Sequence, residues 1–150
     1  MIKITPDLPA NLLGYLTPGA PALLLTCGSD DYPSSQYTWA VATDNKHIRF
    51  GADQGSTALA NLNRAGMAGL VVMGANDTTF LVKGRTRLLK ERIAAAAPAS
   101  IALFEMEVTG AKDQSWTGVS IAPLHYEWAA DHREDLLRME QAVFSEMRES

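Results

Sequence analysis

Cysteine is nearly absent from this sequence. A single residue, Cys27, rules out an internal disulfide and any cysteine-based metal cluster. It follows the apolar run Ala22–Thr26 and is expected to be a buried small residue. Histidine is scarce too. His47, His125 and His132 are scattered, with no HExxH or paired spacing, so no zinc site is expected. Long apolar runs are missing, and no window reaches the length of a membrane span. The opening residues MIKITPDLPANLLGYL hold neither a long apolar region nor a small-residue cleavage site. A cytoplasmic protein with no membrane partner is expected. Positive charge is also short: 13 Lys and Arg face 17 Asp and Glu, for a net charge of -4. That balance argues against a nucleic-acid or anionic-membrane partner, while one anion can still be held locally. Catalytic motifs are equally thin. There is no GxSxG elbow, and Gly51–Gly55 lacks the lysine of a P-loop.

The rest reads as one globular domain over residues 1–150. Its 47% apolar and 20% charged content suffices for a core. Residues 7–17 read as a short helix, with Asp7 as cap, Pro9 in the first turn and Leu12, Leu13 and Leu16 as an apolar stripe. Ala20–Cys27 is continuously apolar and reads as a buried strand, followed by turn chemistry at Gly28–Asp31. Ser34–Thr43 follows, with Tyr37, Trp39 and Val41 on one alternating face, and Asp44-Asn45 turns the chain into His47–Gly51.

Ser56–Arg64 reads as a helix with Leu59 and Leu62 inward, stopped at Ala65-Gly66. Met67–Met73 is an apolar strand, Gly74–Asp77 a turn, and Thr78–Lys90 a long strand. Gly84 in its middle signals a bulge or a close backbone approach. Glu91–Ala97 is a short helical connection before Pro98, and Ser100–Gly110 is a sixth strand. Ser120–Trp128 is a candidate seventh. Asp131–Arg148 closes as an amphipathic helix, with Asp131 and Glu134 as a capping pair and Glu134 and Arg138 four apart. Consecutive hairpins with helices inserted point to an antiparallel barrel, mainly β with helices (α+β).

Two stretches carry chemistry. Lys46–Asn63 runs strand, tight turn, helix start, and places Ser56 and Thr57 at the helix N-terminus. There Ser56 is either a plain cap or, with Thr57, part of an anion site built on free N–H groups and the dipole. Leu124–Trp128 (LHYEW) holds His125, which either fills a half-buried strand position or lines a pocket. With no protein-borne catalytic set, an enzyme here would draw its chemistry from a cofactor, and a flavin suits that role.

The order of motifs resembles the pyridoxamine 5'-phosphate oxidase-like family of FMN-binding split β-barrels. It covers roughly residues 20–128. An apolar strand leads to Asp30-Asp31-Tyr32-Pro33, then two strands, then Ser56-Thr57 with Asn61-Leu62, then Leu81–Thr86 after another strand and turn. The resemblance implies a six-stranded antiparallel split barrel with a short N-terminal helix, a helix after strand 3 and a C-terminal helix. It implies a homodimer with FMN at the interface and a small-molecule substrate. By position, Ser35, Gln36, Tyr37 and Thr38 would follow the ring edge. Phe50, Gly51 and Ala52 would flank the ribityl chain, and Ser56 and Thr57 would meet the phosphate. Thr79 would approach from the sheet, with charge from Lys83 or Arg85. Trp116 or Trp128 would reach the flavin from the partner. A deazaflavin would present the same ring and phosphate. Two alternatives use the same scaffold: a non-enzymatic protein that holds flavin or, through His125, haem, and a cofactor-free dimer.

The pattern departs from the family in two places. Thr57 and Ala58 stand where many members carry Arg or Lys, which implies weaker phosphate binding. The Arg-and-His substrate signature is missing, and Asp131-His132-Arg133 only echoes it, so vitamin B6 oxidation is not expected.

Overall fold

The computed structural model describes residues 3–75 and 78–150. Its frame is one antiparallel sheet closed on itself. Strands β1 (Lys3–Thr5), β2 (Ala20–Cys27), β3 (Pro33–Asp44), β4 (His47–Asp53), β5 (Met67–Met73), β6 (Thr79–Lys90) and β7 (Ile101–Asp113) run in the order β1-β7-β4-β3-β2-β5-β6, and β6 pairs back onto β7. Six strands therefore form the barrel and β1 adds to β7. The expected six-stranded α+β split barrel is what forms. The extra strand is β1, which pairs Lys3 with Asp113; residues 120–128 are irregular. The turn expected at Gly74–Asp77 includes Asn76 and Asp77, which lie outside the described residues.

Alternation fills the interior. Leu24, Phe50, Leu70, Val82 and Met106 are fully buried in one cluster, and Phe50 stacks on Phe104 with ring centroids 5.8 Å apart. At Gly84 the β6–β7 register slips, and an added Cβ would lie 2.2 Å from the Glu107 carbonyl oxygen. The mid-strand glycine thus marks a bulge and a close backbone approach together.

Helix α1 (Ala10–Leu16) closes one end of the barrel through Leu12 and Leu16. It is not capped by Asp7. That carboxylate pairs with Lys46 Nζ at 3.0 Å, and no side chain caps the helix. Helix α2 (Thr57–Ala65) begins at Ser56 and ends on left-handed Gly66. Asn61, buried with it, donates to the Thr26 hydroxyl at 3.0 Å. Cys27 is exposed rather than buried, because the alternation of β2 turns its last residue outward.

Helix α3 (Arg133–Glu149) packs outside the barrel. Val143, Phe144 and Met147 join Val41, Leu103 and Ile93 in a second apolar cluster. Two expectations fail at its start. No side chain caps the helix, since a 3-10 turn (Ala130–His132) precedes it. Arg138 pairs with Asp135, three residues away, rather than with Glu134. Among the described residues no helix is long and apolar enough to cross a membrane.

Candidate functional site

The barrel opens between β3 and β4. Their pairing ends at Ala40 and Phe50. Beyond that point β3 stays with β2 as far as the Cys27–Pro33 pair, and β4 stays with β7 as far as Asp53–Ile101. The two strands are pulled apart by their other neighbours. One side chain bridges the split: Thr38 Oγ1 donates to the Gly51 carbonyl at 2.7 Å and accepts from the Gly51 N–H at 3.1 Å.

A cavity of about 500 Å³ lies over this split. That is ample for a cofactor-sized ring system. Its origin is legible in the strand faces. Helix α3 covers the outer side of Val41 and Leu103, and Trp39 and Ile101, half-buried at the margin of that cluster, also line the cavity. Gly51 supplies a floor without a side chain, and a Cβ there would lie 2.7 Å from Ile101 Cγ2. Pro21 and Tyr37 form one side, and Tyr37 is 75% exposed.

The opposite wall is Leu124, His125 and Tyr126, from the irregular run after β7. It is tied down in two ways. The Leu124 N–H donates to the Met73 carbonyl at 3.0 Å. Trp39 Nε1 donates to Tyr126 Oη at 2.7 Å, Tyr126 Oη donates to Glu140 Oε1 at 2.5 Å, and Trp128 Nε1 donates to Glu140 Oε2 at 2.6 Å. Burial, then the bond to Glu140, drives the Tyr126 phenol well above its ordinary value, so it stays a donor. Tyr126 and Trp128 also meet edge to face at 5.5 Å. One α3 carboxylate thereby fixes an aromatic wall.

The lining is apolar and aromatic with few polar groups, and it contains no Lys or Arg. Its charged members are Asp53 and, when protonated, His125. The Asp53 carboxylate has no hydrogen-bond or ion-pair partner among the described residues. His125 is 73% exposed on the rim, 3.7 Å from Glu127. Among the described residues no cluster of three His, Cys, Asp or Glu could hold a metal.

Of the positions singled out in the sequence, Tyr37, Thr38, Gly51 and, on the rim, His125 line this cavity. Ser35 is exposed and Gln36 half-buried, further along β3. Phe50 and Ala52 point into the barrel and are fully buried. Ser56 caps α2, its Oγ accepting from the Leu59 N–H at 3.1 Å, and Thr57 is exposed in the first turn. Thr79 is buried, and its hydroxyl has no partner among the described residues. Lys83 is exposed on β6, and Trp116 is 75% exposed in the loop after β7. Sequence reading did not single out Asp53, Ile101 or Glu140 as site residues. The alternation of Asp53 with Gly51 was the available signal for the first; Glu140 carried none, because its partners are distant in sequence.

No family model matches the chain, and no curated protein matches it in sequence. Solved structures match its fold. An F420 reductase superposes with a TM-score of 0.59 at 16% identity, over 71% of this chain and 100% of that one. A Lactobacillus delbrueckii protein with the provisional name pyridoxamine 5'-phosphate oxidase gives 0.57 at 14%, over 71% and 94%. A Clostridium acetobutylicum protein related to general stress protein 26 of B. subtilis, of the pyridoxinephosphate oxidase family, gives 0.53 at 13%, over 69% and 84%. The fold is that of the pyridoxamine 5'-phosphate oxidase-like split barrels.

Proposed function

We propose that this chain binds a flavin-type tricyclic ring at the split of its barrel and serves as a small oxidoreductase for an uncharged or weakly charged small molecule. The observation that carries this reading is the aromatic-walled cavity of about 500 Å³ over the β3–β4 split. A bound flavin supplies hydride or electron transfer at its ring, which suits a site with no nucleophile–base pair. The chain's own residues would bind and orient. Trp39 and Tyr126 present flat apolar surface, Thr38 sets the width of the split, and the Leu124–Tyr126 wall excludes water from one side. A deazaflavin has the same ring shape and fits the same reading.

The phosphate end of FMN fits less well. The Ser56 hydroxyl is spent on its own helix, and Asp53 on the lining is acidic. His125 on the rim favours a second reading, in which its imidazole would hold a haem iron.

A homodimer belongs to the proposal. Paired positions Tyr37–Leu23, Leu23–Val71 and Val71–Leu81 lay an apolar row across four strands of the outer face. All four side chains retain exposure, and a second copy is the occupant this face suits.

The test is the visible spectrum of the purified protein before and after adding flavin and desalting. Retained flavin bands, lost in Gly51→Val where the floor is filled, support the reading. A Soret band on haem addition that disappears in His125→Ala favours the second. Absence of both sinks the ligand-binding proposal.

A further inference from the structure

We propose that the site selects a phosphate-free ring ligand, of the riboflavin type, and disfavours phosphate monoesters. This rests on the flavin-type reading above and adds the ligand's charge class. The lining contains a carboxylate, Asp53, and no Lys or Arg. Asp53 is exposed, and its charge has no ion-pair partner among the described residues. A phosphate dianion in this cavity would be repelled by that charge, and because Asp53 is exposed the repulsion is screened as salt rises.

The start of α2 is not part of the cavity lining. The Ser56 hydroxyl already accepts from the Leu59 N–H, and the Ser56 N–H is bonded to the Asp53 carbonyl at 3.2 Å. The chain thus turns from Asp53 into α2 with its first cap satisfied internally. Arg49, Arg64 and Lys90 are committed elsewhere. Arg49 Nη1 donates to the Met147 carbonyl at 2.9 Å while its Nε bonds Glu105. Arg64 is bonded to the Cys27 carbonyl, and Lys90 to Glu146 at 3.2 Å. Lys83 sits on β6, with β5 and β2 between it and β3.

What remains polar in the lining suits a neutral ligand. The Asp53 carboxylate accepts hydrogen bonds and has open capacity, so it suits the hydroxyls of a sugar-alcohol chain or a ring N–H. The selected class is therefore a planar heteroaromatic ring with neutral hydrogen-bond donors on its Asp53 side.

The experiment is a fluorescence-quenching titration of the full chain with riboflavin and with FMN, repeated with Asp53→Asn and at raised salt. Riboflavin is expected to bind at least about fivefold more tightly than FMN at low ionic strength, with the gap shrinking as salt rises. Asp53→Asn is expected to close the gap, chiefly by tightening FMN. Because Asp53 is exposed and pairs only through its backbone, this variant is expected to fold, as circular dichroism would show. Tighter binding of FMN than riboflavin overturns the inference and leaves the flavin reading standing. An unchanged gap in Asp53→Asn also overturns it. Binding of neither flavin overturns the flavin reading, and the inference with it.

Discussion

Thr38 holds the barrel's opening at a set width. Its hydroxyl serves both backbone groups of Gly51 where the β3–β4 ladder has stopped. In Thr38→Val the shape is kept and both bonds are lost. Leaving partly buried backbone groups unpaired is expected to destabilise the fold by about 1–3 kcal/mol. Urea denaturation would measure this, and a shift below about 0.5 kcal/mol would refute the bridging role. Thr38 was legible in the sequence as a strand residue near a possible site. Its bridging role was not, because the gap exists only once β2 and β7 have drawn the two strands apart. Phe50 illustrates the reverse. Its strand position was legible, but alternation puts its side chain inside the barrel, against Phe104.

Helix α3 is held to the barrel by an apolar seam and by charge. Glu105 is buried on β7, accepting from Arg49 Nε at 3.1 Å and from Arg87 Nη2 at 2.9 Å. Arg49 reaches on to the last turn of the helix, bonding the carbonyls of Met147 and Arg148. Burial alone would raise the Glu105 carboxyl, but hydrogen bonds and charge from Arg87 and Arg49 outweigh it and hold it below the ordinary 4.5. A carboxylate lowered in the folded state contributes in full above its ordinary value. That contribution is lost as the pH falls through the lowered folded value.

Stability is therefore expected to drop below about pH 4.5, and Glu105→Gln is expected to cost about 3 kcal/mol near pH 7 while flattening that acid limb. Denaturation midpoints from pH 7 to 3 would check both. A variant whose acid limb matches the parent's would rule out Glu105 as its source. The amphipathic pattern of α3 was plain in the sequence, as Val143 and Met147 show. Its tether was not, because Arg49, Glu105 and Met147 are far apart in the chain.

At the scale of the whole molecule, the outer face of β3, β2, β5 and β6 is the least finished surface. The row Tyr37, Leu23, Val71 and Leu81 is apolar and keeps exposure, whereas α3 covers the Val41 and Leu103 side. The proposed dimer makes a direct prediction. Val71→Glu adds a charge to the centre of this row without entering the barrel. It is expected to convert a dimer into a monomer in light scattering after gel filtration, with the far-ultraviolet dichroism unchanged. A parent that runs as a monomer at high concentration would refute the dimer.

The sequence by itself determined most of the elements. Period-two alternation, turn residues and cap signals depend on neighbours a few positions away, so β2 and β5 appear with their bounds as read. It determined the barrel class too, because consecutive hairpins leave few other closures. Only the tertiary structure decided which side chains meet. The seventh strand came from Lys3–Thr5, since the edge of β7 was free to pair there. The cavity took its wall from Leu124–Tyr126, because Trp39 and Glu140 converge on Tyr126 from opposite ends of the chain. Such convergence is set by packing over the whole barrel, and no local pattern encodes it.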